Sequence, residues 1–179
     1  DSVQHELRFK TPKLQFEYAD DQLISQIQIS TAETDFITAN IHANKENAKG
    51  IRLLSGAINA QVSDMSLLDS FVADIEKLQG VFIADLALSG NTAKPVITGL
   101  AQWENGQFDV PRLGNSFKNI QLQVKSADEQ AQRLLLNLAV DSGSGILTGV
   151  GHLDLLPQQQ FPLQLHLKGE HFQLAQLPE

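Results

Sequence analysis

Apolar and polar residues alternate with a period of two along most of this chain, the signature of strands with one buried and one wet face. Leu7 and Phe9 alternate with polar neighbours, and after the Thr11-Pro12 break Leu14, Phe16 and Tyr18 alternate with Gln15 and Glu17. Leu23, Ser25, Ile27 and Ile29 interleave with Gln26 and Gln28, and Ile37, Ala39, Ile41 and Ala43 with Thr38, Asn40 and His42. The second half repeats the pattern. Ile120, Leu122 and Val124 oppose Gln121, Gln123 and Lys125, while Leu134, Leu136, Leu138 and Val140 oppose Arg133 and Asn137. Leu147, Leu153 and Leu155 share a parity with Gly149 and Gly151, and Leu163, Leu165 and Leu167 oppose Gln164, His166 and Lys168. The alternation predicts about eleven or twelve strands.

One stretch departs from it. Leu67, Leu68, Phe71, Val72, Ile75 and Leu78 fall at helical spacings behind possible caps at Ser63 and Asp64, which predicts a short helix near 64–78 that plugs an end or edge of the sheet. Short polar breaks at 44–49, 90–95, Asn105-Gly106, 126–129, 141–145 and 157–160 mark loops. None has the length or composition of an interdomain linker, so residues 1–179 are expected to form a single β-rich segment.

The expected fold is all-β. Strands of about seven residues at roughly 3.3 Å each, spaced about 4.8 Å apart, give a sheet around 23 Å wide and, for ten strands, near 48 Å long. Its oily face needs cover, which a sandwich, a closed barrel or a curled open sheet would supply in different ways. Aromatics make up only 6% of the residues and the chain has no Cys-Trp-Cys pattern, which favours a curled, aliphatic trough over a sandwich. The alternation still specifies an inward face without saying what fills it, so a closed core and a lipid-accessible groove both fit.

Charge narrows the function classes. A net charge of -8 with no Lys/Arg cluster argues against nucleic acid and against docking on anionic lipid by charge attraction. The absence of cysteine removes disulfides, thiol nucleophiles and Cys-based zinc sites, and leaves the compartment open. The chain begins at Asp1 in a strand-like pattern with no basic or hydrophobic leader, which reads as an excised piece of a longer chain, so that a signal or anchor upstream would leave no trace here.

Candidate chemistry is sparse. Asp64, Asp69 and Asp74 are spaced by five, which does not stack carboxylates on one helical face. His5, His42, His152, His166 and His171 form no HxxxH or HExxH arrangement and mostly share the polar parity. Gly143, Gly145 and Gly149 lack the spacing and following helix of a phosphate loop, so they predict a hairpin turn. Ser142 and Ser144 lie in no nucleophile elbow, and Trp103 reads as a packing residue. No catalytic residue, metal or cofactor is expected.

The segment GVFIADLALSGNTAKPVITGLAQWENGQFDVPRLG, from Gly80 to Gly114, carries an ordered set of punctuating residues: Ser89-Gly90, Pro95, Gly99, Gly106, Phe108, Pro111 and Gly114. Together with LLSGAINAQVSDMSLLDSF before it and FKNIQLQVKS after it, this resembles the recurring element of the TamB family and its AsmA-like relatives over roughly residues 53 to 126. The glycines and prolines have scaffold roles: turns at Gly90 and Gly106, a strand start at Pro95, a bulge or tight curvature at Gly99, and the Pro111 and Gly114 corner. The resemblance implies an internal or C-terminal-half segment of an inner-membrane-anchored protein whose long, taco-shaped sheet spans the periplasm. It also implies an Omp85-class outer-membrane partner of the TamA-like kind, phospholipid as cargo, and a part in inserting nascent outer-membrane proteins. On this view the groove lining comprises Leu7, Phe9, Leu14, Phe16, Ile27, Ile29, Ile41, Ile58, Leu86, Leu88, Leu122, Val124, Leu134, Leu136, Leu138, Val140, Leu147, Leu153, Leu155, Leu163, Leu165 and Leu167. Two functions remain open: a passive conduit for acyl chains, and a scaffold whose free sheet edge pairs with strands of a nascent outer-membrane protein.

Overall fold

A chain whose oily residues alternate can hide them on only one face of a sheet, and the described strands form a single sheet. A computed structural model describes residues 10–30, 35–44, 47–65, 74–127 and 132–175. Among them are ten strands: β1 (Lys10–Ala19), β2 (Gln22–Ser30), β3 (Phe36–Ala43), β4 (Leu54–Val62), β5 (Glu76–Asn91), β6 (Lys94–Val110), β7 (Asn115–Ser126), β8 (Arg133–Ser142), β9 (Gly145–Asp154) and β10 (Leu163–Glu170). They lie side by side in chain order, each antiparallel to its neighbours. Short hairpins suffice for such an order. β1 and β10 form the two edges and do not pair with each other, so the sheet is open.

Register follows the hydrophobic pattern, because a slip of one residue would turn a strand's oily side chains to water. One row of directly opposed residues runs unbroken from Ile29 through Ile37, Ala60, Ala84, Ala101, Val124, Leu136 and Gly151 to Leu165, crossing nine strands. β1 joins the same face through Leu14 opposite Ile27 and Tyr18 opposite Leu23.

Besides a shift between Lys10 and Lys13 of β1, register shifts gather in one band, between Glu76 and Val81 of β5, Trp103 and Phe108 of β6, and Lys118 and Gln121 of β7. Bulges bend a strand and raise its local twist. β6 and β8 also come within 8 Å of each other (Cα to Cα) across the intervening β7. Two flat inter-strand steps would hold them about 9.6 Å apart. Gly106 sits in this band opposite Ile120, where a Cβ would lie 2.7 Å from the Trp103 ring and 2.8 Å from Ile120. Only a residue without a side chain lets those groups close over the bend.

The structure differs from the sequence expectation at two places. Asn105-Gly106, taken for a loop, lies within β6: Asn105 takes the left-handed conformation (φ 51), and pairing resumes at Gly106. Ten is the number of strands among the described residues, and the expected strand at Leu7 and Phe9 lies outside them. Of the helix expected over 64–78, residues 66–73 lie outside the described residues. Its last turn is strand instead, with Glu76 opposite Asp109 and Gln79 opposite Gln107. Pairing with β6 there outweighs a helical spacing of apolar residues.

Candidate functional site

Opposed residues in an antiparallel ladder share a face, so the registers assign each strand residue to one side. Every residue of the expected lining that lies in a described strand falls on a single face, from Leu14 and Phe16 on β1 to Leu163, Leu165 and Leu167 on β10. Leu7 and Phe9 lie outside the described residues. Leu155 lies just beyond the end of β9, buried, with its N–H donating to the Gln132 carbonyl, and so stands off the ladder. The opposite face carries Gln15, Gln26, Asn40, Asn59, Asp85, Gln123, Asn137, Thr148 and His166 in corresponding positions.

Exposure along the apolar face is uneven. On the flanks Phe16 and Tyr18 are 68% and 66% exposed, and Leu163, Leu165 and Leu167 lie between 43% and 58%. In the middle Ala39, Ala60, Val62, Ala84, Leu134 and Val140 are buried. Among the described residues no second layer covers these side chains, so the curl of the sheet around this face shelters them. The result is a trough that is deep in the centre and shallow at both edge strands. On its floor Gly149 and Gly151 of β9 leave room between the leucines of β8 and β10: a Cβ on Gly149 would lie 2.8 Å from Leu167 and 3.3 Å from Leu138.

Beside the bulged band the trough is closed. Phe117, Ile120 and Val140 form a buried cluster, against which Trp103, Phe108, Leu138 and Phe172 pack. The rings run in series, Trp103 to Phe108 at 6.4 Å, Phe108 to Phe117 at 5.1 Å, and Phe117 to Phe172 at 5.9 Å between centroids. Phe172 belongs to the segment after β10, where the chain turns back at His171 (φ 51). That segment is held by its own backbone: the Gln173 carbonyl accepts from Ser142 Oγ at 2.7 Å and from Asn115 Nδ2. Asn115 Nδ2 also donates to Ser142 Oγ at 2.7 Å, and Ser142 is 1% exposed. The alternation pattern gave no sign of this strap; its one cue was the Phe that follows Gly169-Glu170-His171.

The polar side chains tie strand ends together. Asp35, 2% exposed, accepts hydrogen bonds from Ser63 N at 2.9 Å, Ser63 Oγ at 2.7 Å and Asp64 N at 2.7 Å. The expected helix caps thus serve as donors to a buried carboxylate that joins β3 to β4. Arg52 grips Asp21 at 2.6 Å, a contact that raises the arginine's pKa. Arg133 forms a forked pair with Asp154 at 2.6 and 3.0 Å, which holds that carboxyl below its ordinary value. Asp109 is likewise lowered, first by Lys77 and then by the Ser116 hydroxyl.

The remaining residues considered for chemistry are dispersed. Asp74 pairs with Arg112 at 3.0 Å, and Asp69 lies outside the described residues, as does His5. His42, His152 and His166 lie on the polar face. Gly143 (φ 60) and Ser144 turn the β8–β9 hairpin, and Trp103 packs in the aromatic series while its Nε1 donates to the Gln79 carbonyl at 3.2 Å. Among the described residues no three His, Asp or Glu side chains gather as a metal site, and no helix is long and apolar enough to cross a membrane. Of the punctuating residues, Gly90 (φ 84) precedes the β5–β6 turn and Pro95 stands opposite it near the start of β6. Pro111 opens a 3-10 turn that Gly114 (φ 60) ends. Gly99 (φ 115) lies in continuous register opposite Leu86, where a Cβ would overlap the Asp85 carbonyl oxygen, so it marks close strand approach and no bulge.

A family model described as the TamB N-terminal domain matches residues 1–102. It overlaps the segment that carried the resemblance over 53–102, and it bears the name of the N-terminal domain where the sequence had pointed to an interior or C-terminal-half segment. No curated protein and no solved structure matches the chain. The match spans more than half of the 179 residues, and the chain belongs to the TamB family.

Proposed function

We propose that this chain is a section of a periplasmic conduit in which the apolar face shields phospholipid acyl chains between the inner and outer membranes while the polar face meets water. The observation that supports it most is the unbroken row of apolar or glycine positions across nine strands, on a sheet whose edges do not close. Eight inter-strand steps at about 4.8 Å make a path roughly 38 Å long. An acyl chain moving along it loses no hydrogen bond and meets no charge, so the work is passive and non-enzymatic. In this reading the section belongs to an inner-membrane-anchored protein that meets an Omp85-class partner, as the family suggests. Leu165→Asp tests it: the position is 43% exposed, so the variant folds, and phospholipid recovered with the purified chain should fall several-fold. Unchanged lipid recovery from the folded variant contradicts the conduit.

One observation favours a second reading. All eight residues of β10 are exposed and among the described residues no strand pairs with its outer edge, which suits a scaffold for strands of a nascent outer-membrane protein. Proline at outward-facing N–H positions of β10 would abolish such docking and leave lipid recovery unchanged.

A further inference from the structure

We propose that the headgroups of the carried phospholipids lie along one side of the trough only, with their phosphates beside Lys49 and Lys94. The proposal rests on the conduit reading above. A path that crosses antiparallel strands is flanked by the connections at their two ends, and the strand order divides these connections into two rows. The β1–β2, β3–β4, β5–β6, β7–β8 and β9–β10 connections make one row, and the β2–β3, β4–β5, β6–β7 and β8–β9 connections make the other. A phospholipid with its tails on the apolar floor keeps its charged headgroup in water, at one row or the other.

The chain's net charge of -8 is unevenly spread over these rows. On the first, Arg52 and Arg133 neutralise Asp21 and Asp154, each at 2.6 Å. Lys49 and Lys94 are exposed there and enter no ion pair among the described residues, with Asp20 as the carboxylate in the same state. On the second row Arg112 and Lys77 are taken up by Asp74 and Asp109, and Glu76 and Asp141 enter no salt bridge among the described residues. Asp35 and Asp64 add to that row at its β2–β3 and β4–β5 connections, against Lys118. A charge acts over about 8 Å at physiological ionic strength, so a headgroup responds to the row it lies beside. A phosphodiester is therefore attracted by the first row and repelled by the second.

Two further features single out the same row. The β3–β4 and β5–β6 connections are tied to each other: the Thr92 N–H donates to the Arg52 carbonyl at 2.9 Å, and the Arg52 N–H to Thr92 Oγ1 at 3.2 Å. Lys49 and Lys94 thus stand on adjoining turns, a few residues from Leu54, Leu88 and Ile97 of the apolar face. Beside the second row, by contrast, Phe108, Phe117 and Phe172 cover the floor. Lysine suits the task, since an ammonium acts as a point charge and imposes no fixed geometry on a headgroup that moves past it.

The test measures phospholipid recovered per purified chain, by mass spectrometry and phosphate analysis. K49E/K94E should lower it about fivefold, and K49R/K94R should leave it unchanged. K118E/K168E makes the same change in total charge beside the acidic row and should also leave it unchanged. A diacylglycerol probe, which has the tails and no phosphate, should bind K49E/K94E as well as the unaltered chain. Equal phospholipid recovery from K49E/K94E and the unaltered chain overturns the proposal and leaves the conduit standing. A parallel loss of diacylglycerol binding overturns it too, since the phosphate would then not be what the lysines recognise. No phospholipid from the unaltered chain overturns the conduit and this proposal together.

Discussion

Two parts of one apolar face behave differently. Around Phe117, Ile120 and Val140 the face is sealed by aromatic rings, a bend and a returning strap, whereas on β10 leucines of the same parity stand about half exposed. Alternation is the same in both. What differs is the third dimension: bulges and Gly106 bring Trp103 against Ile120, and large rings fill the bend, while among the described strands β10 has a neighbour on one side only. The lesson is that period two decides which side chains face inward, and the breaks in that period decide where the inside is shut.

The comparison predicts unequal costs for similar truncations. Phe117→Ala should destabilise the fold by about 3–4 kcal/mol in urea unfolding, since it empties a buried cluster. Leu165→Ala, on the open flank, should cost roughly 0.5 kcal/mol. Comparable losses at the two sites would mean that the flank is packed as tightly as the bend.

Gly106→Ala should cost about 2 kcal/mol, because the new methyl must displace Trp103 or Ile120, and it should red-shift Trp103 fluorescence as the ring leaves its cover. Asn115→Ala removes a donor from the Gln173 carbonyl and leaves Ser142 to hold it; a loss of about 1 kcal/mol is expected, with faster amide exchange confined to residues 171–175.

The smallest effect concerns pH. Asp109 and Asp154 have folded-state pKa values below their ordinary 3.8. Their stabilising contribution is therefore complete above that value and is lost as pH falls through the lowered folded values. Acid unfolding of Asp109→Asn should show a shallower loss of stability below about pH 3.8 than the unaltered chain; an identical profile would show that the Lys77 and Ser116 contacts contribute nothing.

Much of the trough was legible because burial on one face leaves strands no choice of parity. Leu136 and Leu165 could be placed together from their spacing alone, and the register puts both in one row with Gly151 between them. The bend was not legible. Asn-Gly is a strong hairpin signal, and only the three-dimensional neighbours of Gly106, Trp103 and Ile120, show why the strand continues instead. Glu76 and Leu78 were misread because helical spacing and strand pairing compete, and Asp109 lay 33 positions away in sequence. Phe172 and the buried Asp35 had no periodic signal at all; each acts through partners brought from distant strands.

The most direct test compares neighbouring residues on the two faces. A photo-reactive side chain placed at Leu136, on the apolar face, and separately at Asn137, on the polar face, is irradiated in cells, and the purified chain is analysed by mass spectrometry for phospholipid adducts. Adducts at Leu136 and none at Asn137 are the predicted result. No adduct at either position, with no phospholipid recovered from the unaltered chain, would contradict the conduit and leave the trough as a core that carries nothing.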